Sequence, residues 1–312
     1  MTPEEAEQIA SAGLDQFRNV YVLIFIWSLI GVYLVTFAIG MHIIIHKENR
    51  HRAHAIVIIF LLTAFVFTFM FACQETVASL INLKFGPIMS PGDIEASGPQ
   101  SAFIVASILS SWSGNVIFCI ADAFIVWRAW SVWLESRVIK FTLIILLTID
   151  IAINIVDGIA DTQADKATGP VSTVALDWAI IVTNLGVNIV ATLLIAYRAW
   201  IHHKSIRMIS RTRKTQVEEI LLLFVESGAI FAVVQILTII ISILDAKVPF
   251  FSPVDDADVL ILVLYQYAAA INPVALIILI QTGNTYEQSL HLPDELPSIA
   301  ETEADLIQVI IE

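Results

Sequence analysis

Asp150, Asn154, Asp157 and Asp161 recur every three or four residues within "TIDIAINIVDGIAD" (148–161), an otherwise apolar run. At 100° per residue they fall within an arc of about 60° on a helix. Oxygen-rich side chains in this pattern could hold a cation, pass a proton, or bond to polar groups on a neighbouring helix. A matching set follows: Asp177, Asn184, Asn188 and Thr192 span about 80° on the next helical run. Glu75 and Gln266, the latter flanked by Tyr265 and Tyr267, are further contributors. A carboxylate at the centre of a bilayer costs about 2.5–3.5 kcal/mol, so the stripe is expected to face the protein interior. Two roles are open to it: lining an outward-open vestibule for a small amphipathic or cationic ligand, or bonding the helices to one another.

A second polar set is expected toward the opposite end of the helices. Asp122 and Arg128 share one run, but six residues place them about 9 Å apart along the axis and on different faces. Glu226 lies several turns into another run, and Asn272-Pro273 removes one backbone hydrogen bond from the last. These could form an inner polar latch or serve as structural glue.

Other chemistry finds less support. His42 and His46 are spaced to grip one metal ion, and His51, His54, His202 and His203 lie at similar depth, but a third deep ligand is missing. No metal site, cofactor or catalytic residue is expected. Lys247 lies in a connecting segment, unsuited to a retinal Schiff base, and no phosphate loop or nucleophile elbow occurs. Cys73 and Cys119 are expected at different depths, unpaired.

The elements that must position these residues follow from composition. Of 312 residues, 58% are apolar and 14% charged, with a mean hydropathy of +0.83, too much hydrocarbon for a soluble core. Seven runs are long enough to cross about 30 Å of hydrocarbon: near 20–46, 54–83, 102–134, 138–158, 171–200, 217–244 and 257–281. The fold class is therefore all-α, a seven-helix bundle in a plasma membrane or endomembrane. Residues 1–19 read as a short acidic leader and 283–312 as an acidic, flexible tail. Twelve of the sixteen Lys and Arg residues belong to one side, against Arg18, Lys84, Lys166 and Lys247 on the other. That imbalance places the amino terminus outside and the carboxyl terminus in the cytosol. Lys204, Arg207, Arg211, Arg213 and Lys214 crowd one short inner connection, which could contact anionic headgroups or an acidic cytosolic protein. No nucleic-acid partner is expected from a chain of net charge −13.

"DAFIVWRAWSVW" (122–133), "NIVATLLIAYRAW" (188–200) and "ESGAIF" (226–231) resemble a family of uncharacterised seven-helix membrane proteins of mushroom-forming fungi. The likeness implies the architecture and a fungal origin, and brings no catalytic or ligand residues. Family members often carry Arg-Cys-Tyr where Arg128-Ala129-Trp130 stands, and an arginine where Leu279 stands. The function expected is receptor-like, with a small-solute or proton-coupled transporter second and an intramembrane enzyme third.

Overall fold

The computed structural model describes residues 2–46, 52–85, 98–133, 135–166, 174–207, 216–248 and 252–291. Seven α-helices account for nearly all of them: α1 (Pro3–Ile45), α2 (Arg52–Phe85), α3 (Gly98–Val132), α4 (Arg137–Lys166), α5 (Val174–Arg207), α6 (Gln216–Asp245) and α7 (Pro253–His291). Each contains a stretch long and apolar enough to cross a membrane, such as Gly13–Ile45 in α1 and Pro253–Ile280 in α7. There are no strands among the described residues. This is the all-helical organisation of an integral membrane bundle.

Several helices outrun the apolar segments that announce them. The leader is helical from Pro3, α4 runs to Lys166 rather than 158, and α7 runs to His291, into the segment expected to be tail. The reason is that hydropathy marks the stretch that can lie in hydrocarbon, whereas helix continues wherever propensity allows. Glu4, Glu5, Ala6, Glu7 and Gln8 are good helix formers, and Pro3 suits a first turn. Most of the segment 84–100, residues 292–312, and Arg211, Arg213 and Lys214 of the basic connection lie outside the described residues.

Successive helices pack side by side, and α1 against α7 closes the ring; α3 touches α2, α4, α5 and α7, and α7 touches α1, α2, α3 and α6. The surface is apolar and much of the interior is polar. Val138 and Phe17 are 76% and 70% exposed, whereas Asp122, Arg128, Asp150, Asn184 and Asn188 are buried. That inversion suits lipid, where a polar group gains most by facing its own kind. Hydroxyls on the outer surface satisfy themselves locally: Thr36 donates to the Val32 carbonyl, Thr63 to Ile59 and Thr148 to Ile144, each one turn back.

We call the end where α1 begins the amino face and the end where it finishes the carboxyl face. At the amino face Arg18 Nη1 donates to Asp255 Oδ2 at 2.8 Å, and Tyr21 donates to Asp256, clasping α1 to α7. At the carboxyl face, cations lie over tryptophan rings: Lys140 on Trp130, Arg198 on Trp133 and Lys204 on Trp200, at 5.3–5.6 Å. Cys73 and Cys119 are free.

Candidate functional site

The acidic stripe of α4 faces inward. Asp150, Asn154 and Asp157 are 0%, 1% and 3% exposed, while Ile149, Ile151, Ile155 and Val156 beside them turn to the surface. The alternation is the 3.6-residue period at work: three polar positions share one face, and the β-branched residues fill the other.

Helix α3 supplies the partners. Asn115 Nδ2 donates to Asp157 Oδ2 at 3.1 Å and to the Asn154 carbonyl at 3.2 Å. Ser111 donates to Asp161 Oδ2, and Trp112 Nε1 to Thr162 Oγ1 at 3.0 Å. Gly158 makes room for that tryptophan, since a Cβ there would stand 3.1–3.2 Å from its ring. Asn154 Nδ2 turns back to the Asp150 carbonyl at 2.9 Å and to Asp150 Oδ1 at 3.3 Å.

At the bottom of this seam the bonding converges on Asn184 of α5. Its surroundings fix which way the amide points. The nitrogen lies 2.6 Å from Asp150 Oδ1, 3.2 Å from Asp122 Oδ2 and 3.1 Å from the Ile180 carbonyl, its two hydrogens shared among the three acceptors, and the oxygen accepts from Tyr265 Oη at 2.9 Å. One amide thus bridges two buried carboxyl groups and a tyrosine on α3, α4 and α7. Phe118 stacks on the Tyr265 ring at 4.7 Å between centroids, sealing the cluster. Among the described residues no basic side chain bonds to Asp122, Asp150 or Asp157. Asp150 Oδ2, Asn154 Oδ1 and Asp157 Oδ1 are buried and have no protein partner.

The two helices do not simply present matching seams. Asn188, one turn below Asn184, faces α6: its Nδ2 donates to the Gly228 carbonyl at 3.1 Å and to Gln235 Oε1 at 2.9 Å, and Thr192 donates to its oxygen at 3.3 Å. Asp177, at the amino end of α5, is exposed and gathers with Asp157 and Asp161. Gln266 lies against Gly114 on the α3–α7 contact, its Nε2 without a partner. Glu75 accepts a hydrogen bond from Ser110, tying α2 to α3. The middle members of the seam, Asp150, Asn154 and Asp157, are buried against α3, while its amino end at Asp161 and Asp177 reaches the surface.

The expected inner latch divides into three. Asp122 belongs to the Asn184 cluster. Arg128, 1% exposed, donates from Nη1 to Ser227 Oγ at 2.8 Å and lies 5.6 Å from the Phe224 ring centroid. Glu226 is exposed and, with Asn272, lines a largely apolar cavity of about 340 Å³ between α6 and α7. Residues 226 and 227 differ by 100° around α6, so only one of them can face α3, and it is the serine. Pro273 is buried within α7, which continues through it. His42 and His46 pack ring against ring at 4.1 Å, and among the described residues no third ligand joins them.

Of the basic connection, Lys204 is exposed over Trp200, Arg207 is described by its backbone alone, and Arg211, Arg213 and Lys214 lie outside the described residues. Reading the sequence missed Asn115, Ser227 and Gln235. The first was legible, because Ser111, Asn115 and Asp122 fall within about 40° on α3, the side turned to α4. No known family model and no curated protein sequence matches the chain.

Proposed function

We propose that this is a receptor-like membrane protein that registers a small cationic species, a proton included, arriving at the α3–α4–α5 seam. In this reading the amino face is extracytoplasmic, as the twelve-to-four split of Lys and Arg favours. The observation that carries it is the Asp122–Asn184–Asp150 bridge: two buried carboxyl groups share one amide donor with no basic side chain between them. Like charges so placed in low dielectric repel strongly unless a positive species offsets them. Gain or loss of that species would re-aim Asn184 and release Tyr265, and so shift α7 against α3, α4 and α5. Lys204 and the basic residues that follow it in the sequence would then present their charge differently to an acidic cytosolic partner.

A proton-coupled or small-solute transporter is the second reading. It is favoured by the ladder of oxygens from Asp161 through Asp157 and Asn154 to Asp150, which reaches about mid-depth from the amino face. The likeness to fungal seven-helix proteins rests on the three quoted segments alone and is kept as a proposal of origin.

One experiment separates the readings. The protein is reconstituted in vesicles with an internal pH indicator and a fluorophore at the carboxyl end of α7, then exposed to pH steps and to small primary and quaternary amines. A receptor gives a fluorophore response without flux, and Asp150→Asn abolishes it. Flux abolished by the same change supports the transporter, and an unaltered response in Asp150→Asn defeats both.

A further inference from the structure

At the amino end of the seam, Asp157 and Asp161 of α4 and Asp177 in the first turn of α5 each offer a carboxylate oxygen, and these atoms lie within 4.8 Å of one another. Asp157 is 3% exposed; Asn115 occupies its Oδ2, and its Oδ1 has no protein partner. A buried carboxylate oxygen beside two further carboxylates is left without compensation from any hydrogen-bond donor. Lys166 is five residues from Asp161, about 140° away around the helix, and so turns from this face.

We propose that these three aspartates form a calcium site that clamps α4 to α5 at the amino face. The donors are all hard oxygens with no thiolate or imidazole, which selects an alkaline-earth ion over zinc. Coordination habit then decides between the two common ions. Ca²⁺ takes about six to eight oxygens at roughly 2.3–2.6 Å in flexible geometry, whereas Mg²⁺ at about 2.0–2.1 Å demands a near-ideal octahedron and keeps several of its waters. Three carboxylates from two helices, one of them already bonded to Asn115, suit the irregular shell of the larger ion. Asp161 is fixed for the purpose by Ser111, and Asp157 by Asn115, both from α3. Asp177 is exposed, which leaves a side of the ion open to water and an entry path. The site stands apart from the receptor reading, since it needs neither Asp150 nor Asn184.

Terbium, which replaces calcium on oxygen ligands and luminesces when a nearby tryptophan is excited, provides the test. Trp112, bonded to Thr162 and packed on Gly158, stands beside the site as the sensitiser. In the purified full-length protein, freed of metal by chelation, Tb³⁺ emission should saturate and be displaced by Ca²⁺. The Ca²⁺ midpoint should fall at about 10⁻⁴ to 10⁻³ M, as for extracellular sites, and Mg²⁺ should be the weaker competitor. Asp177→Asn and Asp161→Asn, neither of them fully buried, should each weaken Ca²⁺ by about tenfold or more. Glu135→Gln, an exposed charge at the opposite face, should leave the titration unchanged. No saturable emission, equal displacement by Mg²⁺, or wild-type titrations in both aspartate variants would overturn the proposal. The readout is metal binding alone, so the site can fail while the receptor reading stands, and the reverse.

Discussion

Asn184 does the work of three residues: it donates to two carboxyl groups, accepts from Tyr265, and spends its remaining contact on its own helix. Replacing it with alanine would leave Asp122 without this donor and Asp150 with only the 3.3 Å bond from Asn154. The expected outcome is a loss of about 1–3 kcal/mol, read as a lower midpoint of thermal unfolding in detergent. Asn184→Asp should be worse than alanine, because it adds a third carboxyl where the donor stood. Arg128 poses the opposite problem, a buried cation whose one side-chain acceptor among the described residues is Ser227 Oγ, with Nε and Nη2 unpartnered. Ser227→Ala should destabilise by about 1–2 kcal/mol, the upper range for hydrogen bonds inside membranes, and Ser227→Thr should restore most of it. The same measurement on Glu226→Gln should show little change, since Glu226 faces the α6–α7 cavity and not the guanidinium. This asymmetry between neighbours was not readable from composition: 226 carries the charge, and 227 makes the contact.

Between helices, the closest approach is set by glycine. A Cβ on Gly228 would overlap the Thr192 hydroxyl and stand 3.1 Å from its methyl, so α5 and α6 touch at the height where Asn188 bonds the Gly228 carbonyl. Gly228→Ala should cost about 1–3 kcal/mol through overpacking. Thr192→Ala, by removing the obstructing atoms, should recover much of that loss in the double variant, a coupling that unfolding of the four proteins in a cycle would reveal. At this scale the sequence was most informative where one period governed one face. The α4 stripe faces inward because Asp150, Asn154 and Asp157 share a side. It was least informative where one helix divides its polar residues between neighbours. Asn184 and Asn188 are 40° apart, yet one serves α3, α4 and α7 and the other α6. Periodicity gives the direction of a side chain and not the identity of what stands opposite.

For the molecule as a whole, seven apolar runs specify seven helices because a bilayer admits only helices and closed barrels, and continuous apolar runs of this length suit the helix. Hydropathy therefore located the helices but not their ends, which depend on propensity beyond the lipid, as at Pro3 and His291. Orientation rests on charge placement and can be checked directly. After both native cysteines are replaced, a cysteine at Lys247 should react with an impermeant maleimide on intact cells, and one at Lys204 only after permeabilisation. The reverse pattern would invert the topology and move the calcium site to a compartment where that ion is scarce.

The clasp between Arg18 and Asp255 joins residues 237 apart in the chain. At a synthesis rate of about 5–20 residues per second, α1 waits roughly 10–50 s for the helix that completes it. Throughout that interval the Arg18 guanidinium is not yet held by Asp255 at the rim of the nascent assembly, a natural handle for an insertion chaperone. Chains truncated before α7 would keep that handle exposed, and they are the forms a cell's quality control should retain and degrade.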